Sequence, residues 1–212
     1  MRPAAQVRSD ALRQLAPTDP ALSDSLFADD AMFRRVTPMA ARSALVEAAL
    51  SEGRACAESV SFDWGTDPWT IARGLGVVVV ESDADASFGS VVVFGEYAGK
   101  PPTITLYRMA IDWANQQLIA PRGRGMLNLE DCTPVFLAHE LYHHLACSAP
   151  RPPFSRAYRV TLLQFGRWRW TSRIASLEEI AAGAFAQSLL GMKVHPRLIE
   201  PFWVRQKHGG EP

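Results

Sequence analysis

The sequence predicts an α+β domain in which several helices pack around a short mixed sheet. Three short runs are rich in β-branched residues, which favour an extended backbone because their side chains are restricted in a helix. Glycine and proline separate these runs, as is usual at the ends of strands. The predicted strands are Val77–Val80, Ser90–Tyr97 and Pro102–Tyr107.

Helix signals flank the predicted strands. Asp67 can cap a helix whose first position is Pro68, because its side chain accepts from free backbone N–H groups and proline already has a helical φ. Near the carboxyl end of the chain, Ser176 can cap another helix, with Glu179 at the matching position of a capping box. The predicted helices span residues 68–74, 109–120, about 134–147 and 176–192.

Residues 1–60 are predicted to form a helical extension, and residues 61–212 the α+β domain itself. A chain of 212 residues suits one domain with such an appendage, because it is long enough to bury a sizeable core. The clearest helix of the extension begins at Met39. It is expected to end near Gly53, since glycine is unfavourable inside a helix.

The overall composition narrows the range of partners. The formal net charge is zero, so the chain lacks the basic excess that marks most nucleic-acid-binding domains. No stretch reaches the roughly eighteen apolar residues that cross a bilayer, and the N-terminus lacks the apolar core of a signal peptide. Three cysteines without CxxC spacing favour reduced thiols. We therefore expect a cytoplasmic protein with no membrane partner and no indicated nucleic-acid partner.

The most informative stretch is Leu137–Ala146, which reads LAHELYHHLA. Residues four apart lie on one face of a helix, so His139 and His143 can bind a single ion. Glu140 is turned about a third of a circle away and can act as general base for a metal-polarised water. His144 lies off the ligand face. The competing interpretation is a buried cluster of polar side chains that satisfy one another's hydrogen bonds.

A catalytic zinc site needs a third protein ligand and one open position. The helix that begins at Ser176 offers two carboxylates, Glu178 and Glu179. Helical periodicity slightly favours Glu178, but both residues also suit the first turn of a helix, where the macrodipole stabilises anions. The residues by themselves leave this choice open.

AHELYHHL followed by EIAAGAFAQSLLG resembles the gluzincins, and most closely the ImmA/IrrE-type metallopeptidases. DPWTIARGLGVVVV and PPTITLY resemble the helix–strand opening and the edge strand of that family, so the likeness covers roughly residues 66–192. The resemblance implies a zincin-like domain with a short mixed sheet, an HExxH helix and a second helix that carries a glutamate ligand. It assigns His139, His143 and Glu179 as Zn²⁺ ligands and Glu140 as the general base.

The function that the resemblance implies is zinc-dependent hydrolysis of a peptide bond, with a protein or peptide such as a regulatory protein as substrate. Two residues depart from the family pattern. Tyr142 replaces the glycine of HELGH, and Gly183 stands where the family carries Asn or Asp that could orient a ligand histidine. They support an alternative prediction, a catalytically weak or inactive metal-binding regulatory module with the same fold.

Three further expectations concern the surroundings of this site. PPTITLY is expected to be an exposed edge strand that aligns an extended substrate. Tyr158, Arg159 and His195 are candidate donors to an oxyanion. FGRWRWTSR is expected to alternate, with Trp168 and Trp170 facing inward and the arginines outward, in preference to a nucleic-acid-binding surface.

Overall fold

The computed structural model describes residues 30, 37, 39–88, 91–118 and 131–198. It is a mixed arrangement of helices and small sheets, which confirms the predicted α+β class. The helices are α1 (Met39–Trp64), α2 (Pro68–Gly74), α3 (Arg108–Leu118), α4 (Thr133–Ser148), α5 (Phe154–Ala157) and α6 (Ala175–Leu189), with a 3₁₀ turn at Pro196–Leu198. The strands are β1 (Val78–Ser82), β2 (Ser87–Phe88), β3 (Val91–Val92), β4 (Gly95–Gly99), β5 (Pro102–Tyr107), β6 (Arg159–Phe165) and β7 (Trp168–Arg173).

The main sheet has three strands in the order β1–β5–β4. β5 pairs in parallel with β1 and in antiparallel with β4, so the sheet is mixed. The strand predicted at Pro102–Tyr107 is therefore present, but the prediction that it is an exposed edge is wrong. Both of its edges are hydrogen-bonded, and β4 is the edge strand next to α4.

The strand predicted at Ser90–Tyr97 is divided between two sheets. The N–H of Val93 donates to the carbonyl of Ala86, which keeps it with the small β2–β3 hairpin. The carbonyl of the following residue, Phe94, accepts from the N–H of Tyr107 at the end of β5. The chain thus changes sheets between Val93 and Phe94, although its β-branched composition is continuous there.

Helix α1 continues through both Gly53 and residue 60, where the predicted extension meets the predicted domain. Its buried side chains, such as Val46 and Leu50, belong to the same hydrophobic core as residues of α4 and α6. Gly53 does not end the helix because it lies against α6. A Cβ built on Gly53 would lie 2.1 Å from the carbonyl oxygen of Ala181, so this close helix–helix approach requires glycine.

Substitution Gly53→Ala is expected to destabilise the protein by about 1–3 kcal/mol, because the added methyl group would overpack the contact with α6. At an exposed helical position the same change would stabilise by about 0.5–1 kcal/mol, so the sign of the effect is diagnostic. Chemical denaturation measures it, with Ser51→Ala on the exposed side of α1 as the control. A Gly53→Ala protein as stable as the parent would contradict the close contact.

Helix α6 packs against both α1 and α4, and this packing brings the two predicted ligand helices together. The predicted capping box at its start is wrong. The helix begins at Ala175 with Ile174 at the N-cap position, and the Ser176 hydroxyl donates to Asp30 instead. Glu179 is therefore free of the capping role. Among the described ranges, no helix has the length and apolar character needed to span a membrane.

Strands β6 and β7 form a hairpin of their own, which turns at Gly166 with φ +56°. The predicted alternation of its faces is present, but the inward placement of the tryptophans is wrong. Trp168 and Trp170 are 83% and 70% exposed. Alternation along a strand places side chains on two faces, but it does not decide which face is covered by the rest of the protein. No third described strand joins this hairpin.

Candidate metal centre

Helix α4 carries the HELYH motif at its middle, with about two turns on either side of Glu140. The helix begins after Asp131, whose carboxylate accepts from the backbone N–H and the hydroxyl of Thr133. Leu137, Ala138 and Leu141 are completely buried and seat the helix in the core. The histidines at positions 139 and 143 remain partly accessible, on the face that meets α6.

Three donor groups converge between α4 and α6. The Nε2 atoms of His139 and His143 are 3.2 Å apart. The carboxylate oxygens of Glu179 lie 3.0 Å from His139 Nε2 and 3.5 Å from His143 Nε2. Tetrahedral bonds of about 2.0–2.1 Å would separate donor atoms by about 3.3–3.4 Å. The observed spacings therefore fit a small tetrahedral cation.

Glu140 is the third member of a compact group with the two histidines. One potential ligand atom from each of His139, Glu140 and His143 lies within 4.8 Å of the others, so this group can hold a metal ion.

The Glu179 carboxylate adds a donor from α6. Burial raises the pKa of Glu179, but the hydrogen bond with His139 and the charges of both histidines outweigh it and lower the pKa to about 2. Glu179 is thus ionised at neutral pH, as a ligand must be.

Glu178 has a different partner from Glu179, although the two are adjacent. Its Oε1 lies 3.1 Å from Nδ1 of His143, and its Oε2 lies 3.6 Å from Nε of Arg156. Burial raises the pKa of Glu178, while the hydrogen bond with His143 and the charge of Arg156 lower it further than burial raises it. An ionised Glu178 can accept from Nδ1–H of His143, and in that tautomer Nε2 of His143 keeps a lone pair that can bind a cation.

Glu140 lines a cleft of about 190 Å³ between α4 and the chain that leads into β4. A Cβ on Gly95 would be 3.1 Å from Cγ of Glu140, so the small residue in β4 leaves room for this side chain. Burial raises the pKa of Glu140, against the opposing effect of the two histidines. The neighbouring wall is apolar, with the rings of Phe94 and Phe136 stacked at 4.4 Å.

Tyr142 points away from this cleft and does not crowd it. It is 1% exposed, and its ring packs at 5.9 Å from that of Phe185. Its hydroxyl donates to Glu52 of α1 and lies 3.1 Å from Oγ of Ser155. The residue that replaces the family's glycine is thus part of the packing between α1, α4 and α5. Sequence reasoning missed these partners because they are distant in the chain.

Gly183 lies directly against the ring of His195, which is buried. A Cβ on Gly183 would lie 2.2 Å from Cε1 of His195, whose ring therefore occupies the space that a side chain would need. The Nε2–H of His195 donates to the carbonyl of Ile180 at 3.0 Å, and its Nδ1 accepts from the N–H of Arg197 at 3.2 Å. Burial lowers the pKa of His195 to about 4, which matches this neutral, doubly bonded form.

Substitution Gly183→Ala is expected to cost about 1–3 kcal/mol of stability, because the methyl group would displace a ring held by two hydrogen bonds. The double variant Gly183→Ala/His195→Ala tests the contact, since the methyl group then meets no ring. The loss of stability in the double variant should be smaller than the sum of the two single losses, by a coupling energy of about 0.5–3 kcal/mol. Purely additive losses in chemical denaturation would contradict the contact.

The other predicted accessory residues are not part of the described lining of the cleft. Both ring nitrogens of His195 are already bonded, so it has no free donor for an oxyanion. Tyr158 packs on Phe154, and Arg159 begins the β6–β7 hairpin. Neither lines the cleft among the described residues. His144 bonds through Nδ1 to the hydroxyl of Tyr97 at 3.0 Å, which ties α4 to the edge strand β4.

Comparison of the chain with models of protein families, with curated proteins and with solved structures gave no match. The likeness to the ImmA/IrrE-type metallopeptidases therefore depends on the sequence motifs alone. The chemistry of the site has to be inferred from the side chains that meet between α4 and α6.

Proposed function

We propose that this protein is a zinc metallopeptidase with a zincin-like fold. The observation that carries the proposal is the convergence of His139, His143 and Glu179 at spacings of 3.0–3.5 Å, with Glu140 beside them in a cleft. Two nitrogen donors and one carboxylate leave the fourth position of a tetrahedral site open, which is the arrangement of catalytic rather than structural zinc sites.

Each residue has a separate task in this proposal. His139, His143 and Glu179 would hold the ion, while Glu178 would orient the ring of His143. Zinc, when bound, supplies a Lewis acid that makes a water molecule more acidic and polarises a carbonyl group. Glu140 would accept a proton from the attacking water at a carboxylate oxygen and transfer it to the leaving amine.

The lining of the cleft supports a peptide substrate with an apolar side chain near the bond that is cut. Phe94 and Phe136 form a flat apolar wall, and Val92, Val93 and Val135 extend it. A peptide with a bulky apolar residue would bury it there, as in most ligand pockets. Among the residues that the structure describes, the adjacent β4 is an edge strand, so its outer side can pair with an extended chain.

The two sequence departures do not favour the inactive alternative once their neighbours are known. Tyr142 is turned toward Glu52 and Ser155, away from the cleft. Gly183 does not leave His143 without an orienting partner, because Glu178 lies against its ring, and His195 fills the space above the glycine. Both residues are compatible with a working site.

Two measurements on the purified full chain test the proposal. Elemental analysis of protein prepared without added metal should give about one zinc per chain, and a peptide library rich in Phe, Leu and Val should be cleaved. Removal of the ion with a chelator should stop cleavage, and added Zn²⁺ should restore it. A zinc-free protein would contradict the ligand set, whereas bound zinc without any cleavage would favour the regulatory module.

A further inference from the structure

The β6–β7 hairpin is an arm whose two faces have opposite character. Leu163 pairs with Trp170 and Phe165 with Trp168, so these four side chains share one face. The other face carries only polar side chains. They are Arg159, Thr161, Gln164, Arg169, Thr171 and Arg173. This separation continues across the irregular register at Leu162, because Val160 and Ser172 lie on the apolar side.

The apolar face is exposed along the whole outer half of the hairpin. Phe165 is 84% and Leu163 61% exposed, in addition to the two tryptophans described above. A two-stranded hairpin alone is marginally stable in water, and contiguous exposed apolar groups mark surfaces that bind something. The arm therefore presents a docking surface, and its charge indicates what kind of partner it fits.

The arm lies in a strongly cationic segment of a chain with a net charge of zero. Residues 149–177 contain six arginines and no aspartate or glutamate. Four of the arginines, Arg159, Arg167, Arg169 and Arg173, belong to the hairpin and its turn, and all four are exposed. None of them forms an ion pair with another residue that the structure describes. The complementary partner is anionic.

The arrangement of the two faces favours a lipid surface over a nucleic acid. A single strand places its bases on aromatic rings and its phosphates on arginines of the same groove, whereas this hairpin holds the two kinds of group on opposite faces. Elements that lie in a membrane interface have that separation, with Trp, Phe and Leu toward the acyl boundary and arginine on the polar face. Stacking the apolar faces of two copies would leave the strand arginines of both copies on the outer faces without an anionic partner, whereas an anionic lipid surface complements both the apolar and the basic side chains.

We propose that the hairpin Arg159–Arg173 docks this protein on the surface of an anionic lipid bilayer. The aromatic face would lie at the level of the headgroups, where tryptophan is enriched, and the arginines would reach around the narrow ribbon to lipid phosphates. The inference is independent of the metal site. It concerns attachment to a surface, which needs no membrane-spanning helix.

Cosedimentation of the full chain with lipid vesicles tests this proposal. The protein should sediment with phosphatidylcholine vesicles that contain phosphatidylglycerol, and binding should weaken as salt is raised. Trp168→Ser/Trp170→Ser should lose the sedimentation, whereas Phe62→Ser, which changes an aromatic residue 91% exposed on α1, should retain it. Arg167→Gln/Arg169→Gln should weaken partitioning on the order of fivefold per arginine, with Arg73→Gln on α2 as the matched control.

Thermal unfolding of each variant separates lost binding from lost folding. If Trp168→Ser/Trp170→Ser fails to fold, the vesicle binding of Arg167→Gln/Arg169→Gln tests the proposal instead. Absence of sedimentation with anionic vesicles would overturn the proposal. So would tighter binding to a single-stranded oligonucleotide than to the vesicles, or a dimer of the parent protein that the tryptophan substitutions dissociate. Equal binding of the tryptophan variant and the parent would also overturn it.

Discussion

Replacement of Glu140 by glutamine is expected to abolish peptide cleavage and to leave zinc bound. Glutamine keeps the size of the side chain and its place beside Gly95, but its amide cannot accept a proton. Loss of general-base catalysis typically costs about 10²–10⁴-fold in rate. The measurements are kcat for a peptide cleaved by the parent protein and zinc content by elemental analysis. Because Glu140 is not one of the three proposed ligands, the two results should diverge.

Glu58→Gln on the exposed surface of α1 is the control for a change of carboxylate to amide, and it should leave both measurements unchanged. An active Glu140→Gln protein would exclude the proposed mechanism while leaving the metal site intact. A variant that loses zinc would instead place Glu140 among the ligands. That outcome would agree with its position within 4.8 Å of the two histidine donors.

The adjacent residues Glu178 and Glu179 provide the second large expected effect. Glu178→Gln should weaken zinc binding by about 10–100-fold, the usual effect of removing a partner that orients a ligand histidine. Glu179→Gln should weaken it by a larger factor, because it replaces an ionised ligand with a neutral amide. Competition with a chromophoric chelator measures both dissociation constants.

The two variants control for each other, since they make the same chemical change in the same turn of α6. Glu178 lies in the first turn of that helix and Glu179 directly follows it, so a shared effect on helix stability would appear in both proteins. A greater loss of affinity in Glu178→Gln than in Glu179→Gln would reverse the assignment. Chemical denaturation in the presence of chelator should give similar free energies of unfolding for the two variants.

Local sequence patterns predicted much of the fold and one half of the candidate site. The helix predicted at about 134–147 is observed at Thr133–Ser148, and the strand at Pro102–Tyr107 is observed with those bounds. His139 and His143 share a helical face because they are four residues apart. These features depend on neighbours within one or two turns, so the order of residues is sufficient to predict them.

The errors arose where distant contacts override local preference. Gly53 was expected to end a helix, but packing against Ala181 uses the missing side chain and the helix continues. Ser176 was expected to cap α6, but its hydroxyl bonds to Asp30, 146 residues earlier. The strand at Pro102–Tyr107 was expected at an edge, but its neighbours come from two other parts of the chain.

The sequence by itself determined which functional groups the candidate site offers. HELYH on a helix places two imidazoles and a carboxylate close together, whatever surrounds them. The tertiary structure decided which neighbouring acidic side chain lies next to the Nε2 atoms of the two histidines. Glu178 and Glu179 differ by about 100° of helical phase. Only the packing of α6 against α4 places Glu179 next to Nε2 of His139 and Glu178 next to Nδ1 of His143. It likewise decided that the tryptophans of β7 face outward, since alternation along a strand defines two faces but only packing covers one of them.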